Sequence, residues 1–236
     1  MPDHLGISTQ PVGGNATGTA LTTQPVIQVY DAWNNPVGSA TNTITASIAS
    51  GDGNATISAG ATKAAVGGVA TFSGLALIAT PLSPYTLTFS ATGLTSVTSN
   101  SISVTHAPAT QLLYVTQPAG GNATGEDFST QPVLRLLDQY GNLVASDNSS
   151  TITAHIASGS GATLSNVTAT SVGGIVTFAH LRMVGVPGTQ YKLNFTTASL
   201  TSADSTVVSV TNAVASQLVI TQASATARAG LSLIHI

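Results

Sequence analysis

Apolar and polar residues alternate along much of the chain, in short runs broken by Gly, Pro, Asn and Asp. In residues 24–30, Ile27 and Val29 flank Gln28; in residues 44–48, Ile44, Ala46 and Ile48 alternate with Thr45 and Ser47. Tyr85, Leu87 and Phe89 alternate with Thr86 and Thr88, and Ile102 and Val104 follow the same rule. A period of two sends one set of side chains to a core and the other to water. Thr suits the wet face, because its β-branch favours strands and it needs no charge. No stripe of helical spacing reaches a useful length. The pattern therefore predicts strands joined by turns.

These runs occur twice. TQPVGGNATG, starting at Thr9, returns as TQPAGGNATG from Thr116, a step of 107. Gln24-Pro25-Val26 meets Gln131-Pro132-Val133, and Asp31 meets Asp138, at that same step of 107. Ile44-Thr45-Ala46 meets Ile152-Thr153-Ala154 at 108; Gly67-Gly68 meets Gly173-Gly174, and Tyr85, Leu87 and Phe89 meet Tyr191, Leu193 and Phe195, at 106. A third copy opens with Gln217-Leu218-Val219. The repeats divide the chain into residues 1–107, residues 108–214 and the first strand of a truncated third repeat at 215–230. Residues 231–236, LSLIHI, fit nothing in the repeat. One codon choice, CTG TCT CTT ATA CAC ATC, resembles a transposon-end adapter, so these residues are read as an artefact on a truncated metagenomic gene, with no role for His235.

About seven short strands in each repeat suit an immunoglobulin-like sandwich. About ten buried Ile, Leu, Val or Phe positions, each contributing about 1.5–3 kcal/mol, can hold one together. The expected architecture is all-β, with tandem immunoglobulin-like β-sandwiches in an extended array. Asp138 to Asn142 reads as a turn, with Asp supplying side-chain bonding and Gly141 a positive φ. In the first copy Asp31 and Asn34 take those places. The joint, residues 104–111, holds one Pro and no Gly, so it should be stiffer than a Gly/Ser linker. The repeated decapeptide is expected to be a first strand and its exit turn.

The unit resembles the bacterial immunoglobulin-like (Big, invasin/intimin-type) repeats of large surface proteins. The resemblance rests on LLYVTQP (112–118), QPVLRLLDQYGNLV (131–144), GGIVTF (173–178) and YKLNF (191–195), and it covers residues 5–230. It implies export and tandem arrays, and it carries over no catalytic residue.

Composition narrows the function. Only 6% of residues are charged, against about 25% in an ordinary soluble domain, so Thr, Ser, Asn and Gln must supply solubility. A net charge of -3 offers no basic surface for nucleic acid and no polybasic membrane patch. With no cysteine, disulfides and thiolate sites are excluded. No segment reaches the roughly 18 apolar residues of a membrane helix. The N-terminus lacks the basic start and apolar core of a signal peptide, so an extracellular or cell-surface location needs a targeting segment outside this sequence.

Candidate chemistry is sparse. The acidic residues are scattered. Glu126 and Asp127 are adjacent, in a predicted solvated loop. Asp31 and Asp138 are turn formers; a calcium ion at a junction between repeats is the alternative, though it needs about six to eight oxygen ligands and no DxDxDG run occurs. His4, His106, His155, His180 and His235 form neither HxH nor HExxH, and His155 is expected to point outward. No GxSxG, GxGxxG or P-loop occurs. Trp33 is expected to pack on its own sandwich rim; exposed, it could stack on a sugar ring. Sequons at Asn15, Asn54, Asn122, Asn148, Asn166 and Asn194 are expected from a Thr/Ser-rich composition and are assigned no glycan. No catalytic residue and no cofactor is expected. The leading expectation is a non-catalytic stalk in an exported bacterial surface protein, its partners being neighbouring repeats. The alternative is an adhesion or carbohydrate-binding module, contacting a host or matrix glycan or protein, or an accessory domain of a secreted hydrolase.

Overall fold

The computed structural model describes residues 1–120 and 123–215. The third-copy strand at 217–222, the tail at 231–236 and the Asn122 sequon lie outside the described residues. Among the described residues there are strands and no helix. The first half contains β1 (His4–Thr9), β2 (Val26–Tyr30), β3 (Thr43–Ser50), β4 (Thr56–Ala59), β5 (Thr62–Ala64), β6 (Val69–Thr71), β7 (Ala76–Ile78), β8 (Thr86–Ser90) and β9 (Val97–Thr98). The second half repeats the order with β10 (Ala109–Thr116), β11 (Val133–Asp138), β12 (Thr151–Ser158), β13 (Thr163–Ser165), β14 (Thr168–Val172), β15 (Ile175–Thr177), β16 (Arg182–Val184), β17 (Lys192–Thr197) and β18 (Leu200–Asp204).

In the second half, β10-β11-β15-β14 form one sheet and β12-β17-β18 the other. Pairing of β12 with β14 and a parallel contact of β10 with β18 close them into a ring. With the short β13-β16 pair set aside, this is the ABED and CFG strand order of an immunoglobulin sandwich. The first half has the sheets β1-β2-β6 and β5-β3-β8-β9. Single bridges, Val66 with Val69 and His4 with Thr95, stand where the second half pairs β14 with β15 and β10 with β18.

The alternating positions form the cores. Ile27, Val29, Ile44, Leu87 and Phe89 belong to one hydrophobic cluster; Leu134, Leu136, Ile152, Leu193 and Phe195 belong to another that shares no residue with it. Each cluster contains an edge-to-face pair, Phe72 with Phe89 at 5.3 Å and Phe178 with Phe195 at 5.1 Å between ring centres. Ile102 and Val104 are buried as the pattern requires, but Ile102 makes only a bridge to Tyr85 rather than a strand.

The repeated decapeptide is more than a strand and its exit. After β1 the chain leaves β2 and runs alongside the last segment of the same half. The Gly14 N–H donates to the Ser103 carbonyl at 2.7 Å, Thr17 N–H to Thr105 at 2.8 Å, and Thr105 N–H to Asn15 at 2.9 Å. A side chain at Gly13 would collide with Ser103, and one at Gly120 with Ser209. The first Gly of each GG pair therefore permits backbone-to-backbone approach. The buried Thr17 hydroxyl donates to the Ala79 carbonyl and accepts the Ala79 N–H; Thr124 does the same at Gly185.

Gln and Ser complete the seams. Gln24 Nε2 donates to the Leu21 and Leu75 carbonyls, and its Oε1 accepts the Leu75 N–H. Gln131 repeats this with Phe128 and Leu181. Ser99 and Ser205 accept the N–H groups of Leu87 and Leu193. Fully buried Tyr85 and Tyr191, just before β8 and β17, turn their hydroxyls back to the chain. The Tyr85 hydroxyl accepts the Thr80 N–H at 3.0 Å, and that of Tyr191 accepts the Val186 N–H at 2.9 Å. This is the tyrosine corner of immunoglobulin-type sandwiches.

Tyr191→Phe is expected to strand the Val186 N–H and lower stability by about 1–3 kcal/mol. Urea unfolding followed by circular dichroism checks this, with the strand signal of the folded variant unchanged.

Candidate functional site

The two recurrent aspartates sit in matching turns. Asp31 Oδ1 accepts the N–H groups of Trp33 and Asn35 at 2.9 and 2.8 Å. Asp138 Oδ1 accepts those of Tyr140 and Asn142, both at 2.9 Å. Asn34 and Gly141 take the predicted positive φ, 64° and 83°. Hydrogen bonds from the Asn35 backbone and then its side chain hold the Asp31 carboxyl below its ordinary range.

The surroundings of the two turns differ. Asp138 is fully buried. Its Oδ2 accepts the Ala107 N–H at 3.0 Å and Asn142 Nδ2 at 3.1 Å. Burial pushes its pKa up, but the N–H donors of Asn142, Ala107 and Tyr140 outweigh it and hold the group below its usual value. Ala107 lies in the joint between the halves and is buried. Beside it His106 Nε2 accepts the Ser146 N–H at 3.3 Å. β10 begins at Ala109, so the joint is shorter than residues 104–111. The two halves meet there around small cavities shared by Ile78, Thr80 and Leu82 on one side and Tyr140, Asn142 and Leu143 on the other.

A third aspartate lies beside the joint. Asp147 faces a cavity with Ala16 and His106. It accepts the Ser150 hydroxyl at 2.6 Å and the Ser149 and Ser150 N–H groups at 3.2 and 3.0 Å, together with the Ser171 hydroxyl. Burial raises its pKa, yet these donors bring it down to about 2 from an ordinary 3.8. Sequence reading passed over Asp147 because Ala40 holds its place in the first copy. The available signal was the run Asp147-Asn148-Ser149-Ser150, a pattern suited to side-chain bonding of backbone N–H groups.

Trp33 does not pack on its rim; it is 79% exposed. The turn bonds of Asp31 hold its backbone, and no apolar neighbour within the first half covers the indole. Asp127 lies in a groove with Asn166 and Thr168, where His180 Nδ1 is 2.8 Å and Arg182 Nε 4.0 Å from its carboxylate. Glu126 is exposed, and His155 points outward as alternation predicts. No group of three or more His, Cys, Asp or Glu stands together among the described residues. A cation at Asp138 would have to displace N–H donors that already fill both carboxylate oxygens. No helix among the described residues is long and apolar enough to cross a membrane.

Neither the family models nor the curated proteins compared with the chain contain a match. Among solved structures it is similar to a β-glycosidase from Bacteroides vulgatus, at 11% identity over 89% of this chain and 25% of that one, with a TM-score of 0.36. It is similar to the titin A168169 fragment, at 10% identity over 89% of this chain and 98% of that one, TM-score 0.33. The titin Z1Z2 domains, solved in complex with telethonin, match at 11% identity over 90% and 98%, TM-score 0.28. The chain thus spans about a quarter of the glycosidase chain. Strand order, β10-β11-β15-β14 against β12-β17-β18, is what defines the immunoglobulin-like fold.

A carboxylate whose pKa is lower in the folded state stabilises the fold above its unfolded value and loses that contribution as pH falls through its folded value. For Asp147 the loss should run from 3.8 down to about 2. Thermal melts are expected to be flat from neutral pH to about pH 5 and to fall steeply below pH 4. In Asp147→Asn that acid slope should shrink and the neutral-pH melting temperature should drop.

Proposed function

We propose that this protein is a non-catalytic spacer: immunoglobulin-like sandwiches in series, built to hold a fixed reach as part of a larger exported surface protein. One observation supports this above the rest. The joint is a short segment with a buried Ala107, bonded by its N–H to a buried carboxylate of the next sandwich. A flexible linker would leave these groups in water. Stalks need stiffness at their joints more than chemistry on their faces, and here the Ala107 N–H bonds Asp138 and His106 accepts the Ser146 N–H, both tying the joint to the second half.

A second reading draws on exposed Trp33. Its indole face could stack on a sugar ring, making the unit a carbohydrate-binding or adhesion module, or an accessory domain of a hydrolase. A glycan array on which Trp33→Ala abolishes a specific hit would favour this reading over the spacer.

Small-angle scattering of the full chain tests the spacer. The expected particle has a maximum dimension close to two sandwiches end to end, and Asp138→Ala should broaden the distance distribution while circular dichroism stays the same. A compact particle with the sandwiches side by side would refute the proposal.

A further inference from the structure

Because the two halves are copies of one unit, a surface covered in one can be compared with the same surface in the other. In the second half the aspartate turn is roofed by the first half. Asp138 takes a hydrogen bond from the joint at Ala107, and Tyr140, only 37% exposed, stands with its hydroxyl directly over Gly18. A methyl on Gly18 would come within 1.9 Å of that oxygen. In the first half the turn has the same geometry and no roof. The Asp31 carboxylate is bonded within its own turn, to Trp33 and Asn35, and Trp33, at the Tyr140 position, is open to water.

At the opposite end of the second half the matching positions are open among the described residues. Gly125 matches Gly18, but the nearest atom to a methyl built there is a Val184 methyl at 3.8 Å. Val184 and Val186 are exposed where the first half has half-buried Ile78 and Thr80, and Ala213 is exposed where Ala107 is buried. Each end thus displays one half of the contact that the chain already makes internally.

We propose that the Asp31–Trp33 turn is a docking face for the C-terminal end of a second copy of this unit. Asp31 accepts the N–H of that copy's residue in the Ala107 position, and Trp33 covers its glycine in the Gly18 position. The proposal rests on the spacer reading and names its partner surface. The continuity of the internal contact favours this occupant: Asp31 is an acceptor placed as Asp138 is toward the Ala107 N–H, and an indole buries more apolar area than the phenol at the matching position.

Trp33 is the single tryptophan of the chain, so its fluorescence reports on this face alone. The test joins residues 1–108 to residues 2–236, which puts Pro108 in the place of Met1; the added copy carries Trp33→Tyr. Burial to the degree of Tyr140 should shift emission to the blue and cut acrylamide quenching about twofold or more relative to the original chain. Asp31→Ala in the inner copy should restore much of the quenching. Quenching equal to that of the original chain, with the added unit folded by circular dichroism, would overturn the proposal. Scattering from the same fusion separates the two readings: three sandwiches in line with an accessible indole sink the docking face alone, whereas a folded-back particle sinks the spacer as well. Should the fusion fail to fold, Trp33→Tyr combined with Tyr140→Trp in the original chain decides the matter. A quench-protected indole at unchanged stability supports the fit of tryptophan to this contact, and an exposed or destabilising one overturns it.

Discussion

A sandwich of two sheets has seams where one sheet ends, and each seam presents N–H and C=O groups that must be paired. This chain has almost no charge with which to hold such edges in water. It pairs them instead with neutral side chains that imitate a strand. Gln24 and Gln131 each accept an N–H and donate to carbonyls, as a backbone amide would. Thr17 and Thr124 perform the same double exchange. With these seams closed, the alternating Ile, Leu and Phe collect into two dry cores, beside the second of which the Tyr114 hydroxyl and Asn194 Oδ1 are buried without a hydrogen-bond partner.

The decapeptide shared by both copies is best understood through this constraint. Its Gln10 and Gln117 reach across to the N–H groups of Asn100 and Thr206. Its first glycine lets two backbones touch, and its threonine clamps the strand beyond. The repetition of TQP(V/A)GGNATG therefore follows from closure of each sandwich, and less from the joint between them. A motif with several side chains bonded to distant backbone cannot drift without opening the seam.

The sequence made some of this legible and hid the rest, for identifiable reasons. Strands β2, β3 and β8 were readable because large apolar residues alternate in them, and the turns at Asp31 and Asp138 were readable because only a few residue types tolerate positive φ. β4 and β5 were not, because Thr, Ala and Ser give little contrast between faces, and β7 was not, because Ala76, Leu77 and Ile78 are apolar in succession. The roles of Gln24 and Thr17 depend on partners some fifty or sixty positions away, which no local pattern reports. The site was less legible still. Trp33 appeared ready to pack on its own rim, and the surface that would cover it does not belong to its own sandwich.

The joint turns one local motif to two uses. Asp31 and Asp138 fold the same turn with the same first oxygen, and differ in what the second oxygen meets. A carboxylate is costly to bury unless N–H donors surround it, and at Asp138 the last of these donors comes from the joint itself. Neither Ser nor Asn could do this equally well: Ser lacks the second acceptor, and Asn would turn an amide N–H toward the Ala107 N–H. The aspartate therefore couples the fold of one sandwich to the position of its neighbour. One hydrogen bond from Ala107 thus ties the joint to the geometry of a single turn.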